Sequence, residues 1–156
     1  MDWVLIGGVA TVVGTLATIY AIAKNRRRLK RQVAVKVSWG MLTFPNGELS
    51  DPMIFVTVTN PGDRAVVVNV PYFQLPRNKK MYFPNHLSNI RFPYRLEEGE
   101  CCQMWVKENG VMNTLRDEGF KGHVRIRAFV DDQTGGIYRA RKVYKMGLRT
   151  DGSRSQ

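Results

Sequence analysis

Most of the patterns that mark an enzyme or a metalloprotein are missing from this sequence. It contains two histidines and two cysteines, whereas a structural zinc site needs about four ligands of these types. His86 and His123 lie in no spacing that gathers ligands, and we interpret them as a loop residue and a surface residue. Neither the G-x-x-x-x-G-K-[ST] phosphate loop nor the G-x-G-x-x-G dinucleotide motif occurs. We therefore predict a non-enzymatic protein with no catalytic residue, no cofactor and no metal ion.

A disulfide framework is missing as well. Cys101 and Cys102 are adjacent, and because neighbouring side chains of a strand point to opposite faces, a bond between them is geometrically poor. We expect one buried thiol that packs like a small apolar side chain and one surface thiol. The sequence also has no Asn-x-Ser/Thr glycosylation site. Both absences agree with a reducing, cytosol-facing location.

Acidic residues are scarce. The chain has 13 Asp and Glu against 24 Lys and Arg, a formal net charge of +11 and a pI of about 10.1. Such an excess favours an anionic partner, whether lipid head groups, nucleic acid or an acidic protein. The densest acidic clusters, at 97–100, 117–118 and 131–132, fall at predicted turns and a helix end. We interpret them as solvated loops rather than paired catalytic carboxylates.

The positive charge is concentrated in one short segment. The rest of the chain, 32–156, has 18 basic and 12 acidic side chains and is only moderately basic. The segment, called the basic segment below, contains Lys24, Arg26, Arg27, Arg28, Lys30 and Arg31.

Directly before the basic segment lies a stretch without charge or proline, Trp3 to Ala23. As a helix, its 21 residues would extend roughly 31 Å, which matches the roughly 30 Å hydrocarbon core of a bilayer. A cleaved signal peptide has its cations before a shorter apolar stretch, whereas here Asp2 precedes the stretch and the cations follow it. We predict a transmembrane anchor at 1–23 and a basic juxtamembrane segment at 24–32.

Lys and Arg beside a membrane span favour the cytoplasmic side. We therefore expect a single-pass membrane protein with its N-terminus outside and everything after Lys24 in the cytoplasm. The basic segment would then contact anionic lipids of the inner leaflet, at about 1 kcal/mol per residue close to the surface.

One face of the predicted anchor consists of small residues at spacings of three and four, which lets two membrane helices approach closely. We predict helix association and a possible homo-oligomer through this face, although such residues are also common in membrane helices for other reasons. The face contains Gly7, Ala10, Thr11, Gly14, Thr18 and Ala21.

Beyond the basic segment, apolar and polar residues alternate, which is typical of half-buried strands. Turn signals lie at Asn46-Gly47 and at 60–63, a proline-rich region at 71–93 suggests edges and loops, and ENGVMNTLRDEG, 108–119, predicts one short helix. The predicted strands are VAVKVSW (33–39), MIFVTVTN (53–60), AVVVNV (65–70), CCQMWV (101–106), HVRIRAFV (123–130) and IYRARKVYKM (137–146).

This succession of short strands indicates a mainly β fold, an antiparallel β-sandwich with one short helix. We predict this domain at 33–147, followed by a flexible polar tail at 148–156. VTVTNPGDRAVVV and the later YRLEEGECCQMWV resemble signatures of immunoglobulin-like modules, though the Cys-Trp-Cys core of antibody domains is absent. The whole arrangement resembles small membrane-anchored bacterial or phage proteins. That resemblance implies an immunoglobulin-like fold and an association role, and no catalytic residues.

Four arginines form a candidate face for an anion or a partner. Arg125 and Arg127 alternate in one predicted strand, and Arg139 and Arg141 in the next. If the two registers coincide, the pairs meet across a hairpin, where like charges need compensation. Acidic residues of a neighbouring strand or solvent could supply it, and so could an acidic protein or a lipid head group. Nucleic acid is not expected, because the nearby tyrosines fall on the other face.

We therefore expect a membrane-anchored adaptor or scaffold subunit whose cytoplasmic head binds another protein. The alternative hypothesis is a phage or defence-type effector that acts on the membrane through oligomerised transmembrane helices.

Overall fold

The computed structural model describes residues 32–148. The predicted anchor, the basic segment with its six cations and the tail after residue 148 lie outside this range. Within it the chain is mainly β, with antiparallel strand pairs and one α-helix, so the predicted mainly β class with one short helix is confirmed. No helix between residues 32 and 148 is long and apolar enough to cross a membrane.

The strands are β1 (Ala34–Gly40), β2 (Met53–Thr59), β3 (Val66–Val68), β4 (Tyr72–Gln74), β5 (Lys80–Met81), β6 (Leu87–Ser88), β7 (Tyr94–Leu96), β8 (Cys101–Lys107), β9 (Gly122–Asp131), β10 (Ile137–Arg139) and β11 (Tyr144–Leu148). The helix α1 (Glu108–Asp117) lies between β8 and β9, and a short 3-10 helix, Pro76–Asn78, lies between β4 and β5.

A four-stranded antiparallel sheet has the order β1–β2–β8–β6. The predicted alternation is clear in β2, where Ile54, Val56 and Val58 are fully buried and the residues between them are half-exposed. Over its whole length, Ala34–Gly40, β1 pairs with β2. No other strand of the described chain pairs with β1, so β1 is an edge strand with one free side.

The second sheet has the order β10–β9–β4–β5, and β11 pairs with the first half of β9. Alternate residues of β9, from Val124 to Val130, are buried. β10 pairs with the end of β9, where Arg139 lies opposite Phe129. β10 is thus an edge strand too, and β3 and β7 form a separate two-stranded sheet.

The buried faces of these sheets contribute to one hydrophobic core. Val56 and Met104 come from the first sheet and Phe73 and Ile126 from the second, and all four are 0 % exposed. Burying a large apolar side chain contributes about 1.5–3 kcal/mol to folding. The apolar faces are therefore committed to the core, and most charged residues between 32 and 148 are exposed.

Helix α1 follows β8 directly and packs on the core through Val111 and Leu115, which are fully buried. Met112, beside Val111, is half-buried. After the helix, Gly119 has a φ of +80°, a left-handed conformation that favours glycine and that ends the helix near its predicted stop.

The Glu108 carboxylate connects three elements. It accepts hydrogen bonds from the Trp39 indole N–H at 2.8 Å and from the Tyr144 hydroxyl at 3.2 Å. Burial and the neighbouring Glu108 raise the pKa of Tyr144 to about 12, so its hydroxyl stays protonated as a donor. The start of α1 is thereby attached to the end of β1 and to β11.

The proline-rich region 71–93 contains β4, β5 and β6. β5 and β6 are edge strands, as the prolines suggest, but β4 lies inside its sheet between β9 and β5. Pro71 comes immediately before β4 and removes no donor from the ladder, while Tyr72 and Phe73 are buried. The interpretation of this region as edges and loops is wrong for β4.

The segment predicted as one strand at 137–146 is two strands, β10 and β11. Five positions separate Arg139 from Tyr144, whereas three separate their partners Phe129 and Ile126 on β9. Ala140 still donates a backbone hydrogen bond to Ala128 of β9 at 2.9 Å, and residues 141–143 then leave the regular ladder.

Candidate binding groove beside β1

A groove of about 760 Å³ lies between β1 and the end of β10. This volume is within the roughly 300–1,000 Å³ typical of ligand sites. One side is formed by residues 32–37, and Pro61 also contributes. The other side is formed by Tyr138, Arg139, Arg141 and Lys142.

The groove follows the free edge of β1. Neighbouring side chains of a strand point to opposite faces, so a groove along one face would meet only every second residue. Here all six consecutive residues 32–37 line it. Within the described range, residues 33–37 make no backbone hydrogen bond to a strand other than β2. The strand that lines the groove is thus one whose outer edge has no ladder partner among residues 32–148.

Four cations surround the groove, namely Lys36 on β1, Arg139 at the end of β10, and Arg141 and Lys142 just after it. All four are exposed, and no acidic residue is among the lining residues. Between residues 32 and 148 none of the four is in a salt bridge, although four other Lys or Arg side chains have a carboxylate within 4 Å. These uncompensated charges next to apolar valines favour an anionic ligand with apolar parts.

The loop before β10 is held by Asp132, which is 5 % exposed. Its Oδ1 accepts hydrogen bonds from the N–H groups of Thr134 at 2.8 Å and Gly136 at 2.7 Å, and its Oδ2 accepts one from the Tyr138 hydroxyl at 2.9 Å. Burial alone would raise the pKa of Asp132, but these hydrogen bonds outweigh it and lower the pKa. The ionised carboxylate thus fixes the turn that places Arg139 beside the groove.

The turn that carries Pro61 is held in a similar way by Asn60, which is 0 % exposed. Its Nδ2 donates hydrogen bonds to the carbonyl oxygens of Arg64 at 2.8 Å and Leu96 at 3.1 Å. Its Oδ1 accepts one from the Gly62 N–H at 3.1 Å, the bond of an Asx turn. The predicted turn at 60–63 is therefore present, and its side-chain hydrogen bonds bring Pro61 to a fixed position.

The predicted arginine face is divided by the groove. Arg139 and Arg141 line it, whereas Arg125 and Arg127 on β9 do not. Arg125 is exposed opposite Lys145. Arg127 is half-buried, and its Nε has no hydrogen-bond partner among residues 32–148. Anion binding by this face stays a prediction. Of its four arginines, only Arg139 and Arg141 line the groove and are candidates for binding an anion there.

The adjacent cysteines lie as predicted. Cys101 is exposed and Cys102 is 0 % exposed, and both are free. Burial raises the pKa of the Cys102 thiol to about 11, with a smaller contribution from the nearby Cys101 and Glu100. The buried thiol is therefore protonated at neutral pH and packs as a small apolar side chain.

The two histidines are far from any ligand set. His86 is half-buried in a loop, with Nδ1 2.8 Å from the carbonyl oxygen of Phe83 and its ring packed near Phe92. His123 is exposed near the start of β9. Among the described residues, no group of three or more His, Cys, Asp or Glu side chains could hold a metal ion.

Sequence reasoning missed Lys36 and Lys142 as candidate site residues. Lys36 alternates with the valines of VAVKVSW, and on that pattern alone it is an ordinary residue of the polar face. The strand order that makes β1 an edge comes from pairing between distant segments, so the alternation pattern alone does not contain it.

The chain matches no protein-family model and no curated protein sequence.

Proposed function

We propose that this chain is a single-pass membrane protein whose cytoplasmic head binds an acidic segment of another protein, as a non-enzymatic adaptor or scaffold subunit. The observation that carries this role is the groove beside β1. Four exposed cations without carboxylate partners in the described range surround apolar residues of an edge strand. An acidic peptide would provide both the counter-charges and the apolar contacts.

The membrane part of this role rests on the sequence alone. The apolar stretch 3–23 and the basic segment precede Gln32, the first groove residue. The eight residues 24–31 can reach at most about 28 Å when fully extended. A groove on this tether would stay close to the inner leaflet and would favour partners that are themselves at the membrane.

We interpret the head as an immunoglobulin-like β-sandwich. Two antiparallel sheets that contribute to one core support this interpretation, as do the quoted strand-turn-strand motifs. Domains of this kind often act by association and have no catalytic centre of their own, which agrees with an adaptor.

Cysteine labelling tests the topology. A single cysteine placed in the 151–156 tail, in a Cys101→Ser background because Cys101 is exposed, should react with a membrane-impermeant reagent only after permeabilisation. Labelling in intact cells would show that the tail lies outside, which would contradict the proposed topology and a cytoplasmic partner.

Peptide binding tests the acidic-ligand role. Full-length protein in phosphatidylcholine nanodiscs should bind a fluorescent oligoglutamate peptide, with affinity falling as salt rises because screening acts over roughly 8 Å at physiological ionic strength. The Arg139→Glu/Arg141→Glu variant should lose this binding, whereas Arg125→Glu, outside the groove, should keep it. Equal binding by all three proteins would contradict the groove as the site.

The alternative role, a phage or defence-type membrane effector, rests on the small-residue face of the predicted anchor, which lies outside the described residues. Mass measurement in detergent separates the two roles, since a large ring favours the effector and a monomer or dimer the adaptor. Replacing Gly14 by Leu should fill the close-approach surface and reduce crosslinking if the helices associate.

A further inference from the structure

We infer that the free edge of β1 accepts the acidic segment as an added β-strand. This deepens the proposed binding role and rests on it, because it specifies the conformation of the partner. The partner would be an extended stretch with several Asp or Glu residues that pairs with the backbone of β1.

The edge has the length that such a strand needs. Residues 33–37 line the groove consecutively and cover about 14 Å at about 3.4 Å per residue, enough for roughly five residues of a partner. In strand addition, main-chain hydrogen bonds provide affinity and alternate side chains provide specificity.

The charges are placed to select an acidic strand. Val35 points to the core, so Lys36 points to the opposite face of β1. Arg139, at the end of β10 in the second sheet, and Arg141, just after β10, lie on the far side of the groove. An acidic side chain on either face of an added strand would therefore meet a cation.

The chain itself does not provide a suitable occupant. The segment 24–31 contains six cations and no acid, and the 149–156 tail has two arginines and one aspartate. A second copy that paired β1 with β1 would bring the groove cations of both copies together, and like charges across strands are destabilising. Charge complementarity therefore points to a segment of a different, acidic protein.

Two peptides of equal charge separate strand addition from simple charge attraction. Both have an alternating Thr-Glu sequence over about eight residues, but the second is N-methylated at every peptide nitrogen and cannot donate a ladder hydrogen bond in either register. We expect full-length protein in phosphatidylcholine nanodiscs to bind the Thr-Glu peptide about tenfold or more tightly than its N-methylated form, by fluorescence anisotropy. Equal affinities would overturn strand addition and leave the acidic-ligand role standing.

Amide hydrogen exchange provides an independent measurement. Binding of the Thr-Glu peptide should slow exchange of part of the 32–40 segment, because N–H groups on the free edge gain acceptors. Unchanged exchange at saturation would also overturn strand addition.

The groove variant completes the test. Arg139→Glu/Arg141→Glu should weaken Thr-Glu binding about tenfold or more, and the matched control Arg125→Glu should not. If neither peptide binds, and the wild type binds vesicles rich in phosphatidylserine more tightly than Arg139→Glu/Arg141→Glu does, the groove is a lipid site, and both the strand inference and the acidic-protein role are wrong.

Discussion

The turns at Asn60 and Asp132 and the groove beside them use polar residues in opposite ways. Asn60 and Asp132 are buried, and each forms at least three hydrogen bonds to nearby backbone or hydroxyl groups. The cations of the groove, Lys36 and Arg139 among them, are exposed and have no carboxylate partner between residues 32 and 148. A buried polar group destabilises the fold unless it is hydrogen-bonded, whereas an exposed charge is solvated by water and remains available to bind a ligand. Asn60 and Asp132 should therefore determine the stability of the fold, and the groove cations should determine ligand binding.

The strongest test of this contrast removes the Asp132 carboxylate. Asp132→Ala leaves the N–H groups of Thr134 and Gly136 and the Tyr138 hydroxyl without this acceptor. We expect a loss of about 2–4 kcal/mol in the free energy of unfolding, measured by urea denaturation. Gln133→Ala, at the exposed neighbouring position, is the control and should change it by less than about 0.5 kcal/mol.

The same carboxylate predicts a pH dependence. Because folding lowers the pKa of Asp132, its contribution is complete above the unfolded pKa of about 3.9 and is lost as the pH falls through the lower folded value. Asp132→Asn should have a flatter stability profile than the wild type in that acidic window. Parallel profiles would show that another carboxylate causes the acid sensitivity.

Asn60→Asp should have the next largest effect. A carboxylate has no N–H to donate to the carbonyl oxygens of Arg64 and Leu96 and would lie unpaired against them. We expect a loss of about 2–3 kcal/mol in the free energy of unfolding. The same substitution at the exposed Asn85 should be nearly neutral, and equal losses at both positions would contradict the role of the buried amide.

Gly136→Ala should lower the free energy of unfolding by less than Asn60→Asp does. A Cβ at this position would lie 2.6 Å from Asp132 Oδ2 and 2.9 Å from the Tyr138 hydroxyl oxygen, so the hydrogen-bonded loop must shift. We expect a loss of about 1–2 kcal/mol in the free energy of unfolding. Gly110→Ala is the matched control, because its Cβ meets nothing within 4 Å in helix α1 and should leave stability unchanged or slightly higher.

The smallest effect on stability is expected in the groove itself. Arg139→Glu/Arg141→Glu should change the free energy of unfolding by less than about 0.5 kcal/mol, because neither arginine has a salt-bridge partner in the described range. The same variant should lose acidic-peptide binding. A large loss of stability would show that these arginines are paired within the fold, and the groove would no longer be a binding candidate.

Much of the strand pattern was predictable because its signal is local. The alternation in MIFVTVTN and HVRIRAFV correctly indicates the buried residues of β2 and β9. The position of β4 was not predictable in the same way, because its three residues follow Pro71 in a segment full of breakers. Tyr72 and Phe73 both favour strands and are buried where β4 pairs with β9, but so short a segment does not by itself predict a central strand.

The candidate site was predictable only in part. Arg139 and Arg141 stood out from the sequence as neighbouring cations in one predicted strand. The predicted cluster joined them to Arg125 and Arg127, whereas the groove joins them to Lys36 and Lys142. The departure of residues 141–143 from the ladder shifts the register by two residues, and hydrophobic patterning does not specify such a shift.

The sequence by itself determined the mainly β class, the one short helix and the faces that the core residues occupy, because a period of two or 3.6 residues assigns each side chain to a face locally. Only the tertiary structure decided that β1 and β10 are edges and that they lie next to each other. Strand order depends on contacts between segments far apart in the chain, which loop closure permits in many arrangements and packing restricts to one. Lys36 and Arg139 are therefore ordinary exposed cations in the sequence and become one groove only in the folded head.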